Sequence, residues 1–162
     1  RIYPQKNLFS HIIGQIDDNN KGISGLEKSL DENLKNIQEP IILTVDRDIQ
    51  FLIRNELFKF NEIFNAKGSA AILMNVNNGE ILSLVSLPDF DPNKREKISD
   101  LNYINRATKG IYELGSTLKI FTAAMALESN LIKIDELIDV SKPIRINSSR
   151  FIPTINLSSL LK

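Results

Sequence analysis

The chain has 162 residues, 42% of them apolar, and its 20 Lys and Arg balance its 20 Asp and Glu. Domains usually run about 100–150 residues, so this length allows one domain, or one with part of another, and balanced charge without a basic stripe excludes the electrostatic build of a nucleic-acid binder. With no Cys and a single His, His11, the chain has too few soft or imidazole ligands for a zinc finger, an iron–sulfur centre or a His/Cys catalytic pair, which leaves only an all-oxygen metal site open, and no cofactor is expected. No stretch approaches the ~18 uninterrupted apolar residues of a membrane span. Arg1-Ile2-Tyr3-Pro4 has neither an initiator Met nor a signal-peptide core, so any membrane anchor is expected upstream of Arg1.

Residues 1–38 are polar and contain Asp17-Asp18-Asn19-Asn20-Lys21-Gly22. Their one helical stretch is 26–34, where Leu26, Leu30 and Leu34 recur every four residues, and the segment reads as an irregular arm or linker. Ile41-Ile42-Leu43-Thr44-Val45 is apolar and rich in β-branched residues, which predicts a buried strand. Asp46 follows where a helix N-cap belongs. From Arg47 to about Phe64, Ile49, Leu52, Ile53, Leu57, Phe60, Ile63 and Phe64 fall three and four apart. A helix is predicted with these as its buried stripe and Arg47, Arg54, Lys59 and Glu62 toward solvent.

Residues 69–76 and 80–86 are apolar runs separated by Asn77-Asn78-Gly79, whose residue types tolerate positive φ, so a β-hairpin is predicted. Strand, amphipathic helix and hairpin in that order imply an α+β layer with the helix packed on an antiparallel sheet. Residues 88–105 are turn-rich, and so long a segment without periodicity is usually functional or disordered. Residues 116–128 are apolar nearly all round a helix, which predicts burial on every side. A second amphipathic piece carries Leu131, Ile134, Leu137 and Ile138.

Ser116-Thr117-Leu118-Lys119 is the one constellation suited to covalent chemistry. Residues three apart at the opening of a helix project from neighbouring positions on one face, which brings hydroxyl and amine within reach. A serine alcohol needs a proton acceptor, and lysine can be one only when neutral, a state favoured by an apolar surround and nearby cations. The helix N-terminus adds free N–H groups, among them that of Ser116 itself, as half of an oxyanion hole. Random placement of 14 Ser and 13 Lys gives roughly one Ser-x-x-Lys, and two occur. The second, Ser159 to Lys162, has no helix after it; the first has a glycine before it, an apolar helix after it and a polar loop leading in. The plain alternative is a serine N-cap beside a snorkelling lysine.

Tyr112-Glu113-Leu114-Gly115-Ser116-Thr117-Leu118-Lys119 resembles the active-site segment of penicillin-binding transpeptidases. Arg1-Ile2-Tyr3-Pro4, His11-Ile12-Ile13-Gly14 and Gly22-Ile23-Ser24-Gly25-Leu26-Glu27 resemble the end of the pedestal of class B members. Leu43-Thr44-Val45-Asp46 with Ile49-Gln50, Gly79-Glu80-Ile81-Leu82-Ser83, Pro88-Asp89-Phe90-Asp91-Pro92-Asn93 and Asn105-Arg106-Ala107 resemble successive parts of the transpeptidase module. Several modest motifs in the right order are more specific than any one, and the nearest likeness is to septal, cell-division members.

The resemblance implies a β-lactamase-like α+β module in residues 39–162, preceded by the end of a pedestal or dimerisation domain in residues 1–38. It implies serine acyl transfer at D-Ala-D-Ala of peptidoglycan stem peptides, with Ser116 as nucleophile and Lys119 as proton acceptor, and acylation by β-lactams. It also implies division or elongation membrane proteins as partners, and a place on the periplasmic face of the bacterial inner membrane. Leu114 stands where many members have Pro, which is expected to loosen the loop before Ser116, and residues 34–41 are shorter than usual. After Ser116 there is no Ser-x-Asn and no Lys-Thr/Ser-Gly, the motifs that complete the family's site, and the sequence from Asn147 matches poorly. Truncation before those motifs, inactivity of this fragment in turnover and one exposed side on the Ser116 helix are therefore expected, whether the truncation is natural, a frameshift or a partial gene. The alternative function is a noncatalytic fragment or a docking module for division partners.

Other candidates have simpler readings. His11 lies beside Ile12 and Ile13 and is expected to have a structural or surface role. Asp89 and Asp91 lack a calcium-loop register and are expected to form turns. Gly22-Ile23-Ser24-Gly25 lacks the basic flanks of an RNA-binding loop. Arg106 is expected to organise its loop by ion pairing or by bonding to carbonyls, and Lys94-Arg95-Glu96-Lys97 to be a solvated turn.

Overall fold

The computed structural model describes residues 1–36, 39–94, 100–135, 137, 144–145 and 151–152. They divide into two units, Arg1–Tyr112 and Glu113–Lys162. Far from an irregular linker, the first 36 residues fold into a packed series of short turns. A 3-10 turn, Lys6–Phe9, runs into α1 (Ser10–Ile13), and an antiparallel bridge joins Ile16 to Gly22. Then follow α2 (Gly25–Ser29) and α3 (Asp31–Asn36), so the single helix predicted over 26–34 is broken at Leu30. The backbones of 12–14 and 24–25 cross in contact, which two glycines permit. A Cβ on Gly14 (φ +81°) would strike Ser24 O, and one on Gly25 (φ +57°) would lie 2.6 Å from Ile12 O. The Gly-Ile-Ser-Gly stretch is therefore a packing device.

Residues 41–45 do not form the predicted strand. Thr44 Oγ1 donates to Ile81 O at 2.8 Å and Asp46 N–H to Leu82 O at 2.9 Å, but no ladder develops, and Ile42 stays exposed. The chain turns away because Asp46 begins a helix. Its Oδ1 accepts from Asp48 N–H at 2.9 Å and Ile49 N–H at 2.8 Å, satisfying two donors of the first turn. That helix, α4, spans Arg47–Phe64 and ends in Asn65 at φ +48°, a left-handed stop. Its inward face differs from the predicted stripe. Gln50 is buried and Ile49, Ile53, Arg54, Leu57 and Asn61 are half-buried, while Leu52, Phe60, Ile63 and Phe64 are exposed. Arg54, expected in solvent, turns inward and pairs with Asp89, Nε to Oδ2, at 2.6 Å.

The hairpin forms as predicted. β1 (Ser69–Met74) pairs antiparallel with β2 (Ile81–Leu87), in register from Ser69 with Leu87 to Leu73 with Ser83, then shifting by a bulge at Leu73/Met74. Gly79 at φ +78° closes the connection, with its N–H on Asn75 O at 2.8 Å. α4 packs on this hairpin, giving the predicted α+β layer. After a cis Leu87–Pro88 bond and the loop come α5 (Asp100–Tyr103) and α6 (Arg106–Lys109). Asn105 caps α6 through Ala107 N–H at 3.1 Å and donates to His11 O at 3.2 Å.

Few apolar side chains are buried: Tyr3, Val85, Leu87 and Phe90 among the described residues. Polar contacts supply much of the remaining cohesion. Gln50, 1% exposed, donates through Nε2 to Leu8 O at 3.0 Å and Leu84 O at 2.8 Å. Its Oε1 accepts from Ser83 Oγ at 2.7 Å and Leu84 N–H at 2.9 Å. Tyr3 and Asn93 exchange two further bonds, Tyr3 N–H to Oδ1 at 2.9 Å and Nδ2 to Tyr3 O at 2.8 Å. Tyr3 OH donates to buried Glu27, which also pairs with Arg1.

In the second unit a 3-10 turn, Gly115–Thr117, leads into α7 (Leu118–Glu128), and β3 (Ile144–Arg145) pairs antiparallel with β4 (Phe151–Ile152). The second amphipathic piece is not a helix where it is described: residues 129–135 form turns and bends, and Ile138 lies outside the described residues.

Removing the Gln50 amide would leave buried backbone and hydroxyl groups without partners, at about 1–3 kcal/mol for such a group. Gln50→Ala is expected to lower the unfolding free energy by about 3 kcal/mol in urea titrations. A loss under about 0.5 kcal/mol would contradict this bonding role.

Candidate active site

The Ser116 segment is shaped by Gly115. At φ +52° it takes a conformation costly to other residues and starts the 3-10 turn that holds Ser116, with Thr117 N–H on Leu114 O at 3.0 Å. Leu114 has φ −68°, within proline's own range, so here leucine adopts the backbone that proline would fix. The expected loosening of the loop therefore has no counterpart in the φ of this residue. Lys119 is the second residue of α7, three positions after Ser116, and both side chains are exposed. No hydrogen bond joins them among the described residues.

The burial predicted for this helix is not observed. Ile120, Phe121 and Met125 are each more than 60% exposed, and Leu118 is 52% exposed. Within its own unit the described residues add only two two-residue strands, too little to cover an apolar helix on all sides. The apolar surround assigned to Lys119 is likewise not formed by the described residues.

Arg106 behaves as expected. Its Nη1 donates to Leu101 O at 3.1 Å and Ile104 O at 3.4 Å, and its backbone N–H to Ser86 Oγ at 2.9 Å. Tyr112 OH donates to Arg106 O at 3.1 Å. A Cβ on Gly68 would collide with the Arg106 guanidinium, so glycine there makes room for it.

His11 is structural. Its Nε2 lies 3.2 Å from Pro88 O and donates to it, and its ring meets Phe90 edge-on at 5.4 Å. Burial is the main cause holding its pKa below 6.5; Arg106 acts in the same direction, against the bond to Pro88 and the charge of Asp89. Asp91 builds a turn, accepting from Asn93 N–H at 3.0 Å, and that bond chiefly holds its carboxyl below the usual range. Asp89 does more than turn the chain, for its carboxylate takes both Arg54 and Asn7 Nδ2, the latter at 3.2 Å. No group of three His, Asp or Glu able to hold a metal is found among the described residues. Lys94 is exposed, whereas 95–97 and the second Ser-x-x-Lys lie outside the described residues. Sequence reasoning missed Gln50, Arg54 and Asn93. A polar residue on the inward face of an otherwise apolar helix was the available signal.

Residues 69–153, just over half of the chain and including Ser116 and Lys119, match the penicillin binding protein transpeptidase domain. The chain belongs to the penicillin-binding transpeptidase family. It is 35% identical over 150 residues to a probable peptidoglycan D,D-transpeptidase, FtsI, of Caulobacter vibrioides, covering 90% of this chain and 26% of that protein. With the probable D,D-transpeptidase PenA of Neisseria gonorrhoeae the identity is 32%, over 92% of this chain and 30% of that one. These relatives mark the class B, septal type. The fold agrees: penicillin binding protein 3 of Mycobacterium tuberculosis superposes with a TM-score of 0.78 at 29% identity, over 89% of this chain and 35% of that one. That protein has also been solved with aztreonam and with ampicillin. The chain thus spans about a quarter to a third of the length of these relatives. No helix among its described residues is long and apolar enough to cross a membrane.

Because burial lowers the folded pKa of His11, the unfolded chain takes up its proton first as pH falls. The His11 contribution is therefore complete above pH 6.5 and is lost as pH falls from 6.5 to the lower folded value. Urea unfolding at pH 7.5 and 5.5 is expected to show a larger loss for the wild type than for His11→Gln, which keeps a donor near Nε2 without titrating. Equal losses would contradict a buried neutral imidazole.

Proposed function

We propose that the chain is the nucleophile-bearing part of a peptidoglycan D,D-transpeptidase of septal cell-wall synthesis. The observation that carries this reading is the pairing of an exposed serine in a 3-10 turn with a lysine one turn on in α7, both inside the stretch that matches the transpeptidase domain. Residues 1–38 would be the end of the pedestal and 39–162 the N-terminal portion of the transpeptidase domain. Stem peptides and β-lactams would be the ligands, and division or elongation membrane proteins the partners, at the periplasmic face of the inner membrane.

In the proposed reaction Ser116 Oγ attacks the carbonyl of the penultimate D-Ala while Lys119 Nζ accepts the hydroxyl proton. The negative charge passes to the carbonyl oxygen, where the N–H of Ser116 donates to it. Collapse of the tetrahedral intermediate breaks the peptide bond, and terminal D-Ala leaves with a proton. The ester on Ser116 then passes its acyl group to an amine of a neighbouring strand, which restores the serine. A β-lactam enters by the same attack and opens its ring.

A fluorescent penicillin added to the folded chain, its folding established by a cooperative unfolding transition, is expected to leave a covalent adduct on Ser116. Ser116→Ala abolishes it, and Lys119→Ala slows it by about 10²-fold or more. Absence of labelling in folded protein would overturn the proposal for this chain.

A further inference from the structure

A cleft of about 390 Å³ opens between the α1–α2 arm and the α5–α6 side of the first unit, and neither Ser116 nor Lys119 lines it. Ile12, Leu26, Phe90 and Tyr103 give it an apolar lining, and Lys28 of α2 and Lys109 of α6 also line it. Among the described residues no Asp or Glu lines it and neither lysine makes an ion pair. Thr108 adds a hydroxyl beside Lys109.

We propose that this cleft docks a short extended segment of a partner protein in which acidic and apolar side chains alternate. Two unpaired cations in a concave, partly apolar site concentrate field and attract a carboxylate, and each can form a charge-assisted hydrogen bond to it. A lone small anion would leave the apolar lining uncovered, and a purely apolar segment would leave both cations without a counter-charge. An extended peptide meets both demands, because successive side chains point to opposite sides, so apolar side chains turn into the cleft over Ile23 and Leu26 while carboxylates face outward, where the exposed Lys28 and Lys109 can reach them. The volume falls within the usual range for such sites, ~300–1,000 Å³. The cleft lies wholly in Arg1–Tyr112, so the proposal stands apart from acyl transfer at Ser116.

The test is fluorescence polarisation on the full chain with fluorescein-labelled (Leu-Glu)3. Competitors are unlabelled (Leu-Gln)3, hexaglutamate and inorganic phosphate. The labelled peptide is expected to bind saturably, at least 10-fold more weakly to a Lys28→Glu/Lys109→Glu variant and several-fold more weakly to Lys28→Gln/Lys109→Gln. Both lysines are exposed, so these variants should keep the wild-type urea midpoint. The three competitors should each be at least 10-fold poorer than unlabelled (Leu-Glu)3. No saturable binding, or binding unchanged in both double variants, overturns the proposal. Equal competition by phosphate or hexaglutamate overturns it in favour of a simple anion site, and equal competition by (Leu-Gln)3 in favour of an uncharged apolar groove.

Discussion

The Gln50 side chain does for β2 what a neighbouring strand would do. Its amide takes both the N–H and the C=O of Leu84, the two groups that a strand edge leaves exposed. Along the same edge Leu82 O accepts from Asp46 N–H and Pro88 O from His11. A helix cap, a helix side chain and an arm side chain thus close one edge of a two-stranded sheet without adding a strand. The remaining bond from Gln50 to Leu8 O draws the arm to the same place. Helix, hairpin and arm consequently meet at one buried amide.

Around that junction the first unit depends on polar specificity to an unusual degree for its size. Four apolar residues are buried among those described, whereas Ser10, Glu27, Gln50, Ser83 and Ser86 are buried polar ones. Asp89 joins Arg54 of α4 to Asn7 of the arm, and Asn93 holds the backbone of Tyr3 by two bonds. Hydrogen bonds of this kind contribute modestly when made and cost heavily when one partner is lost. They therefore fix geometry more than they add stability. The second unit is the reverse case: α7 is strongly apolar, and its Ile120, Phe121 and Met125 remain exposed.

What could be read from the sequence was what is local. Asp46 with the three-and-four spacing marked α4 at both ends, and Asn77-Asn78-Gly79 marked the hairpin, because caps and turns involve residues near one another in the chain. The arm was misread because its partners are remote: Tyr3 bonds Asn93 and His11 bonds Pro88, contacts that no local pattern encodes. Arg54 was placed in solvent because its counter-charge, Asp89, lies 35 positions on. The run 41–45 has strand composition, but only single bonds tie it to β2 before the helix starts. For the candidate site, the motif and its context single out Ser116 and Lys119 as candidates. The burial of their helix was inferred from apolarity alone, and apolarity says what a surface favours, not what is present to cover it.

The account rests on the arm, α4 and the hairpin being one cooperative body joined at Gln50. Native-state hydrogen exchange tests this most directly, because residues that open together share one opening free energy. The amides of Gly14 in the arm, Gln50 in α4 and Leu84 in β2 are each hydrogen-bonded, to Ser10 O, Asp46 O and Gln50 Oε1. The account predicts the same opening free energy for all three, with the same dependence on denaturant. An arm amide that exchanges through a separate, lower-energy opening while Gln50 and Leu84 stay protected would contradict it.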